Sequence, residues 1–182
     1  MKLPTSLPLP SPVLRSSALA AFALAALLTP GAASAKDLNG RLGLGAMSTF
    51  GGGAGPAELS VRYGLPTGKP TLNIALELDA GVDVDTAVGT KLEGGLRLLY
   101  APVVEDNMNL YLGAGVGYRY DTTSGVSTGG IHVQPAVEAE FFAFGLENLG
   151  FVAGVGLDLG IGDSVTVRTV GGVPMVGMHY YF

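Results

Sequence analysis

From residue 38 onward, apolar and polar positions alternate with a period of two, a pattern that predicts β-strands and is hard to obtain from a helix. Over 108–120, Met108, Leu110, Leu112, Ala114, Val116, Tyr118 and Tyr120 alternate with Asn109, Tyr111, three glycines and Arg119. Over 72–83, Leu72, Ile74, Leu76, Leu78, Ala80 and Val82 oppose Asn73, Glu77, Asp79, Gly81 and Asp83. The same alternation predicts strands over 38–47, 57–65, 88–100, 131–141, 149–161 and 173–182. Glycine-rich, proline-rich or polar stretches at 49–56, 66–70, 101–107, 121–130, 144–148 and 162–172 predict the connections. Pro135 inside the sixth strand implies a bulge or a locally weak ladder. Strands of about ten residues match the length that crosses a bilayer when tilted. The prediction is an all-β chain folded as an eight-stranded antiparallel up-and-down transmembrane β-barrel, with both ends of the chain on one side.

Alternation alone does not say which face looks outward. Gly43, Gly45, Gly64, Gly81, Gly113, Gly115, Gly154, Gly156 and Gly160 share the parity of the charged residues. On a water-facing strand such glycines weaken a sheet without return, whereas in a narrow barrel they leave room for ionic side chains. The polar face is therefore assigned to the interior. The predicted interior network comprises Arg41, Arg62, Lys91, Arg97 and Arg119 with Glu58, Glu77, Asp79, Asp83, Glu93, Glu138, Glu140 and Asp158, joined by His132 and His179. Unpaired, such charges are costly when dry, so ion pairs and trapped water are expected. Like charges placed opposite one another destabilise a sheet. The hairpin of the third and fourth strands is therefore predicted to turn about Ala87, with Glu77 facing Arg97 and Asp83 facing Lys91. Met47, Leu99 and Val152 are the few apolar residues assigned inward.

At the start of the chain, Lys2 and Arg15 precede an apolar run over 18–28, followed by Pro30, Gly31 and the small residues Ala33-Ser34-Ala35. This predicts a signal peptide over 1–35, cleaved near Ala35, and a barrel domain over 36–182. The apolar run is too short for a spanning helix. With no cysteine, a disulfide framework and a lipid-modified cysteine are both excluded. After Ala35 there are eight basic and 15 acidic residues, a formal charge of −7, which argues against nucleic-acid binding.

The last strand, Val-Pro-Met-Val-Gly-Met-His-Tyr-Tyr-Phe, ends in alternating outward aromatics, Tyr180 and Phe182. Together with the signal peptide, the alternating strands and the charged, glycine-rich interior, it resembles the small outer-membrane β-barrel family typified by the OmpA transmembrane domain, OmpX and OmpW. The resemblance implies a location in the outer membrane of a Gram-negative bacterium and both termini in the periplasm. It implies that 49–56, 83–89, 121–130 and 162–172 face outside the cell. It also implies that Tyr180 and Phe182 act as the C-terminal assembly signal read by the barrel-assembly machinery. Outer-membrane lipid is the expected surrounding, and the chain is expected to be a monomer. Tyr63, Tyr100, Tyr118, Tyr120, Phe141, Tyr180 and Phe182 suit an aromatic girdle at the membrane interfaces.

Candidate chemistry is sparse. A Ser, His and acid group is needed for nucleophilic lipid chemistry, and no serine is expected beside His132 or His179 on the polar face. The histidine and carboxylate spacing matches no metal-ligand pattern. Gly51–Gly55 lacks a following Lys-Ser or Lys-Thr and reads as a turn, not a phosphate loop. No catalytic residue, cofactor or metal is assigned. The expected role is that of a non-enzymatic, porin-like cell-envelope barrel with a structural or surface-interaction function. The alternatives are OmpW-like transport of small apolar compounds, a lipid-acting enzyme, and a secreted soluble binding barrel.

Overall fold

In the computed structural model, the described residues are 36–48, 58–85, 89–123, 125–143, 145–162, 165–169 and 175–182. The expected signal peptide and the expected 49–56 loop lie outside them. The described residues form nine strands: β1 Leu42–Met47, β2 Glu58–Leu65, β3 Asn73–Asp85, β4 Gly89–Val104, β5 Met108–Thr123, β6 Val126–Phe142, β7 Leu149–Ile161, β8 Val165–Thr169 and β9 Met175–Tyr181. From β1 to β7 each strand pairs antiparallel with the next. β8 and β9 both lie along β7, β8 beside its end and β9 beside its start, so they share one stave. Pairing of β1 with β9, from Gly43↔Tyr181 to Met47↔Gly177, closes the sheet into an eight-stave barrel. Among the described residues every stave finds ladder partners on both sides, while β8 pairs with β7 alone.

Side chains alternate across this wall as the period-two pattern requires. Leu59, Leu78, Leu96, Val155 and Phe182 point outward, at 75%, 55%, 50%, 65% and 69% exposure. Arg62, Glu77, Arg97 and Glu138, by contrast, are buried in the lumen. A water-soluble barrel has the opposite arrangement. At the end carrying Lys36 and Phe182, called the terminal end below, Tyr63, Tyr100, Phe151, Tyr180 and Phe182 are exposed on the outside, and the rings of Tyr180 and Phe182 meet edge to face at 5.1 Å. Tyr118 stands exposed nearer the other, hairpin end.

The β3–β4 register is the one that charge pairing selects, with Glu77 opposite Arg97 and Asp83 opposite Lys91. Pro135 sits in an unbroken β5–β6 ladder, while the β6–β7 ladder skips from Val133↔Leu159 to Ala136↔Gly156 with no change of offset. It produces a weak ladder and no bulge, because the ring removes one N–H donor and nothing else.

Strand ends depart from the sequence-based boundaries in four places. Residues 101–104, expected as connection, continue β4, and the chain absorbs Pro102 by a register shift between Tyr100 and Val103. The expected polar loop over 121–130 is a paired hairpin, with Asp121 opposite Thr128 and a tight turn at Gly125, whose φ is +81°. Within the expected connection 162–172, residues 165–169 form β8. In each case backbone hydrogen bonds prolong a ladder whose side chains need not be apolar.

The fourth departure is at the N-terminal side. Leu38 was assigned to the first strand with its apolar face outward, but the chain turns at Asn39 and Gly40 (φ +73°), and Leu38 is buried against Phe142 and Tyr181. Residues 36–38 form a strap across the terminal end of the lumen. The Lys36 N–H donates to the Glu105 carbonyl at 3.1 Å, Asn73 Nδ2 donates to the Lys36 carbonyl at 2.9 Å, and the Leu38 N–H donates to Asn73 Oδ1 at 3.1 Å. Lys36 Nζ lies 5.0 Å from the centre of the Phe142 ring. Burial, and then the neighbouring Arg41 charge, pull this ammonium below the ordinary lysine value.

Candidate functional site

Barrel register sorts the lumen into cross-strand rows. In the central row β2, β3 and β4 contribute Arg62, Glu77 and Arg97 side by side, and β6 supplies Glu138 and Glu140 from another part of the wall. Arg62 pairs with Glu77, with Glu138 Oε1 at 2.7 Å and with Glu140 Oε2 at 3.3 Å. Arg97 pairs with Glu77 and with Glu138 Oε2 at 2.7 Å. Glu138 thus joins two guanidiniums through its two oxygens. These side chains have no solvent exposure, a setting in which losing one partner costs far more than the pair gains over an apolar substitute.

Aromatic and amide groups complete the layer. Tyr181 donates its hydroxyl to Glu140 Oε1 at 2.7 Å, and Tyr111, 5.3 Å beneath the Arg62 guanidinium, contacts Glu140 Oε2 at 3.4 Å. Asn109 and Asn73 extend the chain of contacts toward the strap. None of these four was assigned to the network from sequence. Their signal was parity, since Tyr111 lies between Asn109 and Gly113 on the glycine face and Tyr181 shares the face of His179.

Toward the hairpin end the network loosens. His132 Nδ1 lies 2.8 Å from Asp158 Oδ1, and Arg119 reaches Asp158 at 3.6 Å and Glu93 at 3.7 Å. Glu58 and Asp79 are buried nearby on β2 and β3. The remaining predicted members stand at the rims. Asp83 and Lys91 are exposed at the hairpin end, while Arg41 at the terminal end donates to Asn148 Oδ1 at 2.7 Å and to the Tyr181 carbonyl at 3.2 Å.

Glycines mark where large groups from flanking strands meet. Gly45 sits between Ser60 and His179 in one row, and above its bare backbone His179 Nε2 approaches Ser60 Oγ at 2.8 Å. The expectation that no serine lies near a histidine on this face is therefore corrected. Barrel closure brings β9 beside β1, and the missing Gly45 side chain lets the two groups touch. The other ring nitrogen of His179 is 3.7 Å from Glu140, too long for an orienting hydrogen bond. Ser60, His179 and Glu140 are all buried, so this serine is not presented to a substrate. Among the described residues, no group of three acidic or histidine side chains converges as an inner-sphere metal site.

No protein-family profile matches the chain, and no curated protein matches it in sequence. Among solved structures, the N-terminal β-barrel domain of Pseudomonas aeruginosa OprF is similar, with a TM-score of 0.56 at 14% identity over 79% of this chain and 98% of that one. Ail, the attachment invasion locus protein of Yersinia pestis, aligns at TM-score 0.41 and 17% identity over 79% and 99% of the two chains. Its backbone structure in a phospholipid bilayer nanodisc aligns at TM-score 0.41 and 11% identity over 78% and 97%. Seen with its own closed, inside-polar wall, the chain has the eight-stranded antiparallel barrel fold of the OprF N-terminal domain.

Proposed function

We propose that the protein is a non-enzymatic integral outer-membrane barrel that contributes to envelope structure or presents its hairpins at the cell surface. The observation that carries this reading is the inversion of the wall: exposed leucine, valine and aromatic side chains outside, buried arginine and glutamate inside. Water is a poor solvent for that exterior, and closure of the barrel satisfies the ladder hydrogen bonds that lipid could not. The ring of aromatics at the terminal end supports placing that end at one membrane interface, and the resemblance in the sequence makes it the periplasmic one. Signal cleavage near Ala35, delivery through the Tyr180 and Phe182 assembly signal, and a monomeric state belong to the same proposal.

A lumen filled at its centre by Arg62, Arg97 and three glutamates favours a structural or surface role over carriage of apolar compounds. The inward apolar residues Met47, Leu99 and Val152 are themselves buried by packing. The test is expression in a Gram-negative host, followed by membrane fractionation and gel migration with and without boiling. Recovery with the outer membrane and a heat-dependent mobility shift is expected; recovery from the soluble periplasm would overturn the reading.

A further inference from the structure

The seam between β6 and β7 is interrupted partway up the wall. Its register runs to Val133↔Leu159 and resumes at Ala136↔Gly156 with the same offset, so the skipped pairs are Gln134 with Asp158 and Pro135 with Leu157. In an antiparallel ladder each residue turns both backbone groups to one neighbour, and the β5–β6 ladder is unbroken through Ala114↔Pro135. The N–H that Pro135 lacks is therefore the one a ladder would send to the Leu157 carbonyl of β7. Outside this gap stand Pro135 and Leu157, both exposed; inside it Gln134 and Asp158 are buried. A backbone carbonyl denied its donor is costly in a wall without water.

Side chains span the same gap. His132 Nδ1 donates to Asp158 Oδ1 at 2.8 Å, which ties β6 to β7 beside the missing rung. The ring can lie across β7 because its row partner there is Gly160. A Cβ on Gly160 would stand 3.2 Å from His132 Cε1 and 2.5 Å from Thr166 Oγ1 of β8, so the bare backbone is what the two side chains share. From β5, Arg119 Nη1 reaches the second oxygen of Asp158 at 3.6 Å. We infer that His132 and Asp158 form a latch across the β6–β7 seam, a side-chain rung that stands in for the ladder bond Pro135 cannot make and keeps the hairpin half of the lumen closed to the outside of the wall. A hydrogen bond to a buried carboxylate is stronger than the neutral backbone bond it replaces. It is also the kind of rung that one side-chain rotation releases, which makes this seam the place where the closed wall parts.

The test is hydrogen exchange at single backbone amides of the refolded barrel in detergent micelles, arranged as a double-mutant cycle between His132 and Pro135. His132→Ala is expected to speed exchange at the Val133, Leu157 and Leu159 amides by about tenfold or more, and to leave the Glu77 and Arg97 amides within about twofold of wild type. Pro135→Ala restores the N–H, so in that background the acceleration should largely disappear. His132→Asn keeps a donor near the Nδ1 position and should retain most of the protection. His132→Gln, which keeps bulk and polarity without that donor, should lose it, and it gives the same reading if the alanine variant does not refold. Acceleration that is equal with and without Pro135, that spreads evenly over the barrel, or that does not separate His132→Asn from His132→Gln would overturn the latch.

Discussion

Glu138 and Glu77 each bridge the two arginines of the central layer. Glu138 meets both Arg62 and Arg97 at 2.7 Å, and all three are without exposure. Glu138→Ala leaves two guanidiniums facing Glu77 with one anion gone, at an expected cost of about 3–5 kcal/mol of stability. Glu138→Gln, which still accepts a hydrogen bond, should cost less; urea unfolding from lipid vesicles ranks the two. Gly154 matters for the same residue from the other side. A Cβ there would stand 2.7 Å from Glu138 Cβ and 2.8 Å from the Val137 carbonyl oxygen, so backbone as well as side chain must move. Gly154→Ala is expected to cost about 1–3 kcal/mol by overpacking, measured in the same titration. Both effects follow from a lumen in which glycine is the space that an ionic neighbour occupies.

At the level of elements, the strap over 36–38 and the central ion layer close the lumen at two separate heights. Leu38→Ala removes a buried side chain from the contact with Phe142 and Tyr181 and should cost about 2–5 kcal/mol. Because the arginine and glutamate layer stays in place, conductance across a planar bilayer should not rise; an open channel in this variant would show that the strap alone seals the barrel. The strap was not legible in the sequence. Leu38 continues the even-numbered apolar positions of the first strand, and only the turn at Asn39 and Gly40 redirects it. Faces, by contrast, were legible, since a period of two fixes every side chain once one is assigned, and the β3–β4 register followed from placing Glu77 and Asp83 opposite cations. Strand ends over 101–104 and 121–130 were hidden by Pro102 and by a mostly polar ladder, while Val165 and Val167 do alternate in β8, a run of five residues too short to stand out within a polar, glycine-containing connection. The contact of His179 with Ser60 was hidden for a different reason: it arises from closure between the first and last strands, which no local window contains.

For the whole molecule, one choice of face decides everything else. If the leucine face meets acyl chains, the buried charges must find partners inside, the glycines must make room for them, and the aromatics belong at an interface. The chain has no tryptophan, so a single one can be introduced as a probe of either face. The decisive measurement compares Leu96→Trp, on the outer wall, with Leu99→Trp, in the lumen, after reconstitution into vesicles containing brominated acyl chains. Strong quenching of the first and little quenching of the second is the predicted result. Equal quenching, or quenching confined to position 99, would contradict the assignment of the apolar face to lipid.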